Sequence, residues 1–117
     1  MAKVINTRNT KTIVETLEVA ATIGSRMKGL LGRNHLPSGS GLWIKRSGNS
    51  IHTFFMKFPI DLAFVDKYQT VRHIASNVKP WRMIIAPLLV STDCLELPAG
   101  TLERTDTKKG DRLDVKN

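Results

Sequence analysis

The residues able to do chemistry gather in two short stretches. The first is IHTFFMKFPIDLAFVD, residues 51–66, which sets His52, Lys57 and Asp61 in an aromatic and aliphatic run. The second is LEL, where Glu96 stands between two leucines. An imidazole held by a carboxylate is what a general base needs. His52 with Asp61 or with Glu96 would therefore suit a small acid–base or hydrolase-like enzyme. That reading lacks a nucleophile: Ser50 and Thr53 are only neighbours, and the chain has no GxSxG elbow. Lys57 suits anion binding in a pocket, with Asp61 holding it across Pro59. Asp61 has an equally good structural use, accepting backbone N–H groups to fix the turn at the proline. Glu96 requires a basic partner if it is inside, because an unpaired buried carboxylate is costly. Trp81, between Pro80 and Arg82, is of a type enriched at binding surfaces. Phe55 and Met56 complete a candidate pocket of His52, Phe55, Met56, Lys57, Asp61, Trp81 and Glu96.

Metal and cofactor chemistry finds no motif. Histidines 35, 52 and 73 show no HxH, HExxH or Cys/His ligand spacing. GLLG and GSG match neither phosphate-binding glycine pattern. No cofactor is expected. The one cysteine, Cys94, has no partner for a disulfide or zinc ribbon and reads as a small buried hydrophobe.

The elements that must position these residues are short. Residues 1–11 are polar and expected to fray. KTIVETLEVA alternates as one strand, with Ile13, Leu17 and Val19 on one face. TIGSRMKGLLG predicts a helix over 23–31, capped by Thr22 and ended by Gly32. GLWIK is a strand. IHTFF is extended up to Pro59, which marks an edge, bulge or strand start. DLAFVD scarcely alternates, so it is expected to be buried on both faces and to pair with TVRHIA in a hairpin. Pro87 interrupts MIIAPLLV. CLEL and RLDV are further strands, with a helical turn within 100–106. Six or seven short strands and one helix predict a mostly antiparallel β (α+β) domain over 12–117, compact and barrel-like.

The 117 residues carry a net charge of +8. No acidic residue occurs between Val19 and Ile60, while six Lys/Arg residues stand there among Trp43, Phe54, Phe55 and Phe58. A basic, aromatic-studded surface suits an anionic partner, nucleic acid included. No apolar run reaches the roughly 20 residues that span a membrane, and the first residues lack the apolar core of a secretory signal. A cytoplasmic protein is expected.

Several pieces fall in a known order: SRMKGLLGR, GLWI, TFFMKFPIDLAFVD, TVRHI, LELPAGT and KKGDRL. Together they make the chain resemble the DUF 192 family, bacterial and archaeal domains of unknown function, over roughly residues 12–115. Met56, Lys57, Pro59 and Asp61 match its central motif, and Glu96, Ala99 and Gly100 a later one. The resemblance implies a compact, predominantly β domain and carries no agreed activity. Where many members have an asparagine after the lysine, this chain has Phe58 and a shorter gap to the proline. The reading that follows is a non-enzymatic binding or accessory module for a small ligand or protein partner. Polyanion binding through residues 19–60 and an acid–base enzyme are the alternatives.

Overall fold

A run such as IDLAFV needs cover on both sides, and it becomes the middle of the molecule. The computed structural model describes residues 2–22, 24 and 29–117. Its strands run β1 (Lys3–Asn6), β2 (Thr12–Val14), β3 (Thr16–Ala20), β4 (Ser40–Ile44), β5 (Ser50–His52), β6 (Ile60–Val65), β7 (Val71–Val78), β8 (Met83–Ile85), β9 (Asp93–Pro98) and β10 (Leu113–Lys116). A short helix, α1 (Thr101–Arg104), lies between the last two. The five-stranded sheet has the order β3-β4-β9-β6-β7. Only its β3–β4 pair is parallel. A three-stranded sheet β10-β1-β2 and a ribbon β5-β8 complete the fold.

Each face of the large sheet carries its own core. On one, Ala63, Val65, Leu95 and Leu97 meet Val4, Ile13, Val14 and Leu113 of the small sheet. On the other, Leu42, Ile44, Leu62, Phe64 and Cys94 meet Leu30, Leu36, Met56, Val78 and Ala86. All six β6 residues are therefore buried, and the hairpin to β7 forms as expected.

Three expectations are corrected. Residues 1–11 do not simply fray: Lys3–Asn6 is β1, paired on both sides, with Val4 and Asn6 fully buried. KTIVETLEVA is two strands. At Glu15 the chain leaves the small sheet for the large one, and the N–H groups of Glu15 and Thr16 both donate to the Gly39 carbonyl (2.6 and 3.1 Å). Among the described residues no sheet closes into a barrel, because closure requires an unbroken ladder. The two larger sheets are joined by the Thr70–Arg112 bridge and its neighbouring bonds at one side, and by the Leu17 N–H donating to the Ala2 carbonyl (3.0 Å) at the other. The helix expected over 23–31 lies largely outside the described residues. Residues 29–32 are turns, with left-handed φ at Gly29 (47°) and Gly32 (81°), so the expected helix does not extend over 29–31.

Gly41 of β4 shows how closely the sheets approach. A Cβ there would lie 2.8 Å from Val14 Cγ2 and 3.3 Å from Leu97 Cδ2. Gly41→Ala is expected to destabilise the fold by about 1–3 kcal/mol through overpacking. Thermal denaturation would show this as a lower Tm with an unchanged far-ultraviolet spectrum.

Candidate functional site

Asp61 is a structural clamp. It is wholly buried. Its Oδ1 accepts the Asn77 N–H (2.8 Å), and its Oδ2 accepts the N–H groups of Gly100 (3.1 Å) and Leu102 (2.9 Å). Gly100, at φ 92°, leads into α1 and has no side chain to cap it. Asp61 supplies the missing acceptor from another strand, satisfying N–H groups that a helix start leaves open. The same carboxylate holds the β7 irregularity at Asn77, whose φ is 51°. The two polar stretches PID and LPAG are thus one unit of backbone support. Asp61 has no free oxygen for His52, whose ring lies at the surface.

His52, Phe55 and Trp81 do come together. His52 stacks on Phe54 (centroids 5.0 Å apart), Phe54 on Trp81 (6.1 Å), and Phe55 tilts against Trp81 at 4.6 Å. Phe55 and Trp81 are 67% and 56% exposed. Both have left-handed backbones, φ 65° and 67°, which large side chains avoid. The residue that enforces this is Thr53, fully buried between the two loops. Its Oγ1 donates to the Lys79 carbonyl (2.7 Å) and accepts the Arg82 N–H (2.9 Å). Its carbonyl accepts the N–H groups of Met56 and Trp81, and its own N–H donates to the Arg82 carbonyl.

The ribbon extends this aromatic surface. His52 faces Met83 and Ser50 faces Ile85 across β5 and β8, with Ile51 facing Ile84 between them. Side chains directly opposite in such a pair share a face. Ile51 and Ile84 pack on the core, so Met83 (52% exposed) and Ile85 (69%) stand outside with His52. A continuous apolar strip results. Its charged neighbours are Lys57, Lys79 and Arg82, all exposed. No acidic residue occurs from Lys67 through Thr92.

The remaining candidates part company. Met56 is core. Lys57 is exposed and donates to Asn34 Oδ1 (3.3 Å). Glu96 lies on β9 between Leu42 and Leu62, on the face of the second core cluster. It is 4% exposed, and burial, opposed by the charge of Arg33, pushes its carboxyl up to about 7. Arg33 itself is bonded to Glu18 (2.7 Å). Among the described residues, the basic partner expected for Glu96 is therefore present only at a distance. Glu96 itself keeps only a sliver of solvent contact. Cys94, on the same face, is buried, and burial with the nearby Glu96 charge raises its thiol well above the usual range. Such a thiol is inert. No group of three or more His, Cys, Asp or Glu side chains is placed to hold a metal ion among the described residues, and none of their helices is long and apolar enough to cross a membrane.

Thr53 and the outer ribbon residues Met83 and Ile85 were missed by sequence reasoning. Alternation in SIH was the available signal, but that run is only three residues long, and MII is apolar throughout.

Two solved structures share this architecture. One is a "putative transcription regulator" from Sinorhizobium meliloti 1021, 25% identical, with a TM-score of 0.82 over 97% of this chain and 91% of its own. The other is a protein of unknown function from Novosphingobium aromaticivorans DSM 12444, 24% identical, with a TM-score of 0.81 over 97% and 82%. No curated protein matches the chain. A family model described as "Uncharacterized ACR, COG1430" matches residues 4–115, nearly the whole length, so the chain belongs to the DUF192 family.

Proposed function

We propose that this protein is a non-enzymatic binding module whose contact surface is the strip of Phe55, Trp81, Phe54, His52, Met83 and Ile85. The observation that carries the reading is the Phe55–Trp81 pair. Two large aromatic side chains are held in water, in contact, on left-handed backbone. Exposure of such area and such backbone each cost free energy, and Thr53 holds both in place. Aromatic residues, Met and Arg are the types enriched at protein interfaces. Trp81, Phe55, Met83 and Arg82 supply them here. The cations at the edge and the absence of acids suit a protein partner whose apolar anchor residues stand among carboxylates. A second copy of this chain would set cation against cation.

The test is to pan displayed peptides on the protein and map the bound one by backbone NMR. An acidic peptide with apolar anchors is expected to shift the resonances of Thr53, Phe55, Trp81 and Met83. The double variant Phe55→Ser, Trp81→Ser, folded by far-ultraviolet spectrum, is expected to lose about a hundredfold in affinity, since two anchors are removed. Shifts confined to another surface, or unchanged affinity of the double variant, would overturn the reading. Oligonucleotide binding to the same strip, weakening steeply with salt, would favour a polyanion partner instead.

A further inference from the structure

A second surface lies away from the strip. An open cleft of about 880 Å³ runs between the end of β4, the β6–β7 turn and the chain leading into β9. That volume is of the size that holds a small molecule. Four cations line it: Lys45, Arg46, Lys67 and Arg72. Two carboxylates line it as well, Asp66 and Asp93, and both are engaged within the fold. Asp66 Oδ1 accepts the N–H groups of Tyr68 (2.9 Å) and Thr70 (3.0 Å), and its Oδ2 accepts from Arg72 (3.2 Å). Asp93 Oδ2 accepts the Trp43 indole N–H (2.8 Å), and its Oδ1 accepts the Arg46 N–H (2.8 Å).

The carboxylates therefore shape the walls. Asp93 holds the Arg46 backbone in the left-handed region (φ 52°), and Asp66 organises the turn that carries Lys67 and Tyr68. The turn is tight enough to force Gln69 to φ 63°. Arg46 and Lys67 are exposed. The Lys67 Nζ lies 5.2 Å from the centroid of the Tyr68 ring, which is largely exposed. The Lys67 ammonium sits over one face of the exposed Tyr68 ring: the cation attracts a compact anion, and the ring's opposite face a flat ring.

We propose that this cleft binds an organic phosphate. Arg46 and Lys67 take the phosphoryl oxygens, and Tyr68 takes a ring attached to the phosphate. The cleft shares none of the strip's residues, so the proposal stands apart from the partner-binding reading.

Titrations of the full chain with pyrophosphate, AMP and adenosine, followed by backbone NMR at constant ionic strength, test it. Pyrophosphate and AMP are expected to shift Arg46, Lys67, Tyr68 and Asp93, with AMP the tighter of the two. Adenosine is expected to bind at least tenfold more weakly than AMP. The double variant Arg46→Gln, Lys67→Gln alters exposed side chains only and is expected to weaken AMP by about tenfold or more. If chloride at matched ionic strength gives the same shifts, if AMP shifts residues elsewhere only, or if the double variant binds AMP as the parent does, the proposal is overturned.

Discussion

Asp61→Ala is expected to remove a large share of the protein's stability at neutral pH and ambient temperature. The substitution deletes one side chain but removes the acceptor of three N–H groups: that of Leu102, a buried residue, and those of Asn77 and Gly100, which are exposed residues. An unsatisfied buried donor costs about 1–3 kcal/mol, and a hydrogen bond lost from a donor that water can reach about 0.5–1.5 kcal/mol. A total loss of about 2–6 kcal/mol follows, against a stability of about 5–15 kcal/mol for a typical domain. Asp61→Asn is expected to lose less, because its amide oxygen still accepts while its NH₂ opposes one set of donors. Urea denaturation monitored by tryptophan fluorescence would rank the three proteins. An Asp61→Ala midpoint equal to that of the parent would show that the carboxylate does not hold α1 and β7 in place.

Glu96 is expected to have the opposite effect. Its folded carboxyl titrates at about 7, against 4.5 in the absence of the fold. The folded state therefore holds the proton more tightly than the unfolded state. The corresponding stability is fully present below pH about 4.5 and is lost as pH rises to about 7, by about 3 kcal/mol. Asp111 sets the acid limb. Burial alone would raise it, but the hydrogen bonds from Arg8, Asn6 and the Lys108 N–H prevail and hold it at about 2. Its contribution is present above pH about 4 and is lost toward pH 2, on the order of 1–2 kcal/mol. Maximum stability is expected near pH 4–5. Glu96→Leu, set between Leu42 and Leu62, is expected to gain about 2–4 kcal/mol at pH 8 and to lose the alkaline limb. Chemical denaturation across pH 3–9 checks both limbs. A Glu96→Leu curve that parallels the parent's from pH 4.5 to 7 would remove Glu96 as the cause.

Much of the large sheet was legible because local pattern and burial agree there. IDLAFV has too few polar positions for a one-sided strand, and YQT offers a turn before its partner. β1 was not legible. KVIN contributes one fully buried valine and a buried asparagine whose Nδ2 donates to Asp111 Oδ2 at 2.8 Å. Nothing local distinguishes that asparagine from a solvated one. The break at Glu15 was hidden for a similar reason: alternation continues through it, and only the Gly39 carbonyl shows where the chain changes sheets. At the candidate site, residue type was a fair guide to individual side chains and a poor one to their company. Asp61 was expected to accept backbone N–H groups at the proline turn; it does accept backbone N–H groups, but those of Asn77, Gly100 and Leu102, on other elements. Phe55 and Trp81 could be singled out, yet their contact depends on Thr53, an unremarkable residue in the sequence. Glu96 called for a basic neighbour, and Arg33 is already bonded to Glu18.

The pairing of β1 with β10 has a consequence for how the molecule comes into being. Lys3 lies opposite Lys116, and Asn6 opposite Leu113. A chain emerging from the ribosome makes β1 first and β10 last. Until then β1 has only β2 as a strand partner, and a two-stranded ribbon is weakly held until another element covers it. Val4 and Ile13 then lack Leu113, their neighbour in the core. The first strand therefore waits for nearly the whole chain, which makes its docking a late event in a fold dominated by distant contacts. Chaperones that bind exposed strands would meet this segment before its final partner does.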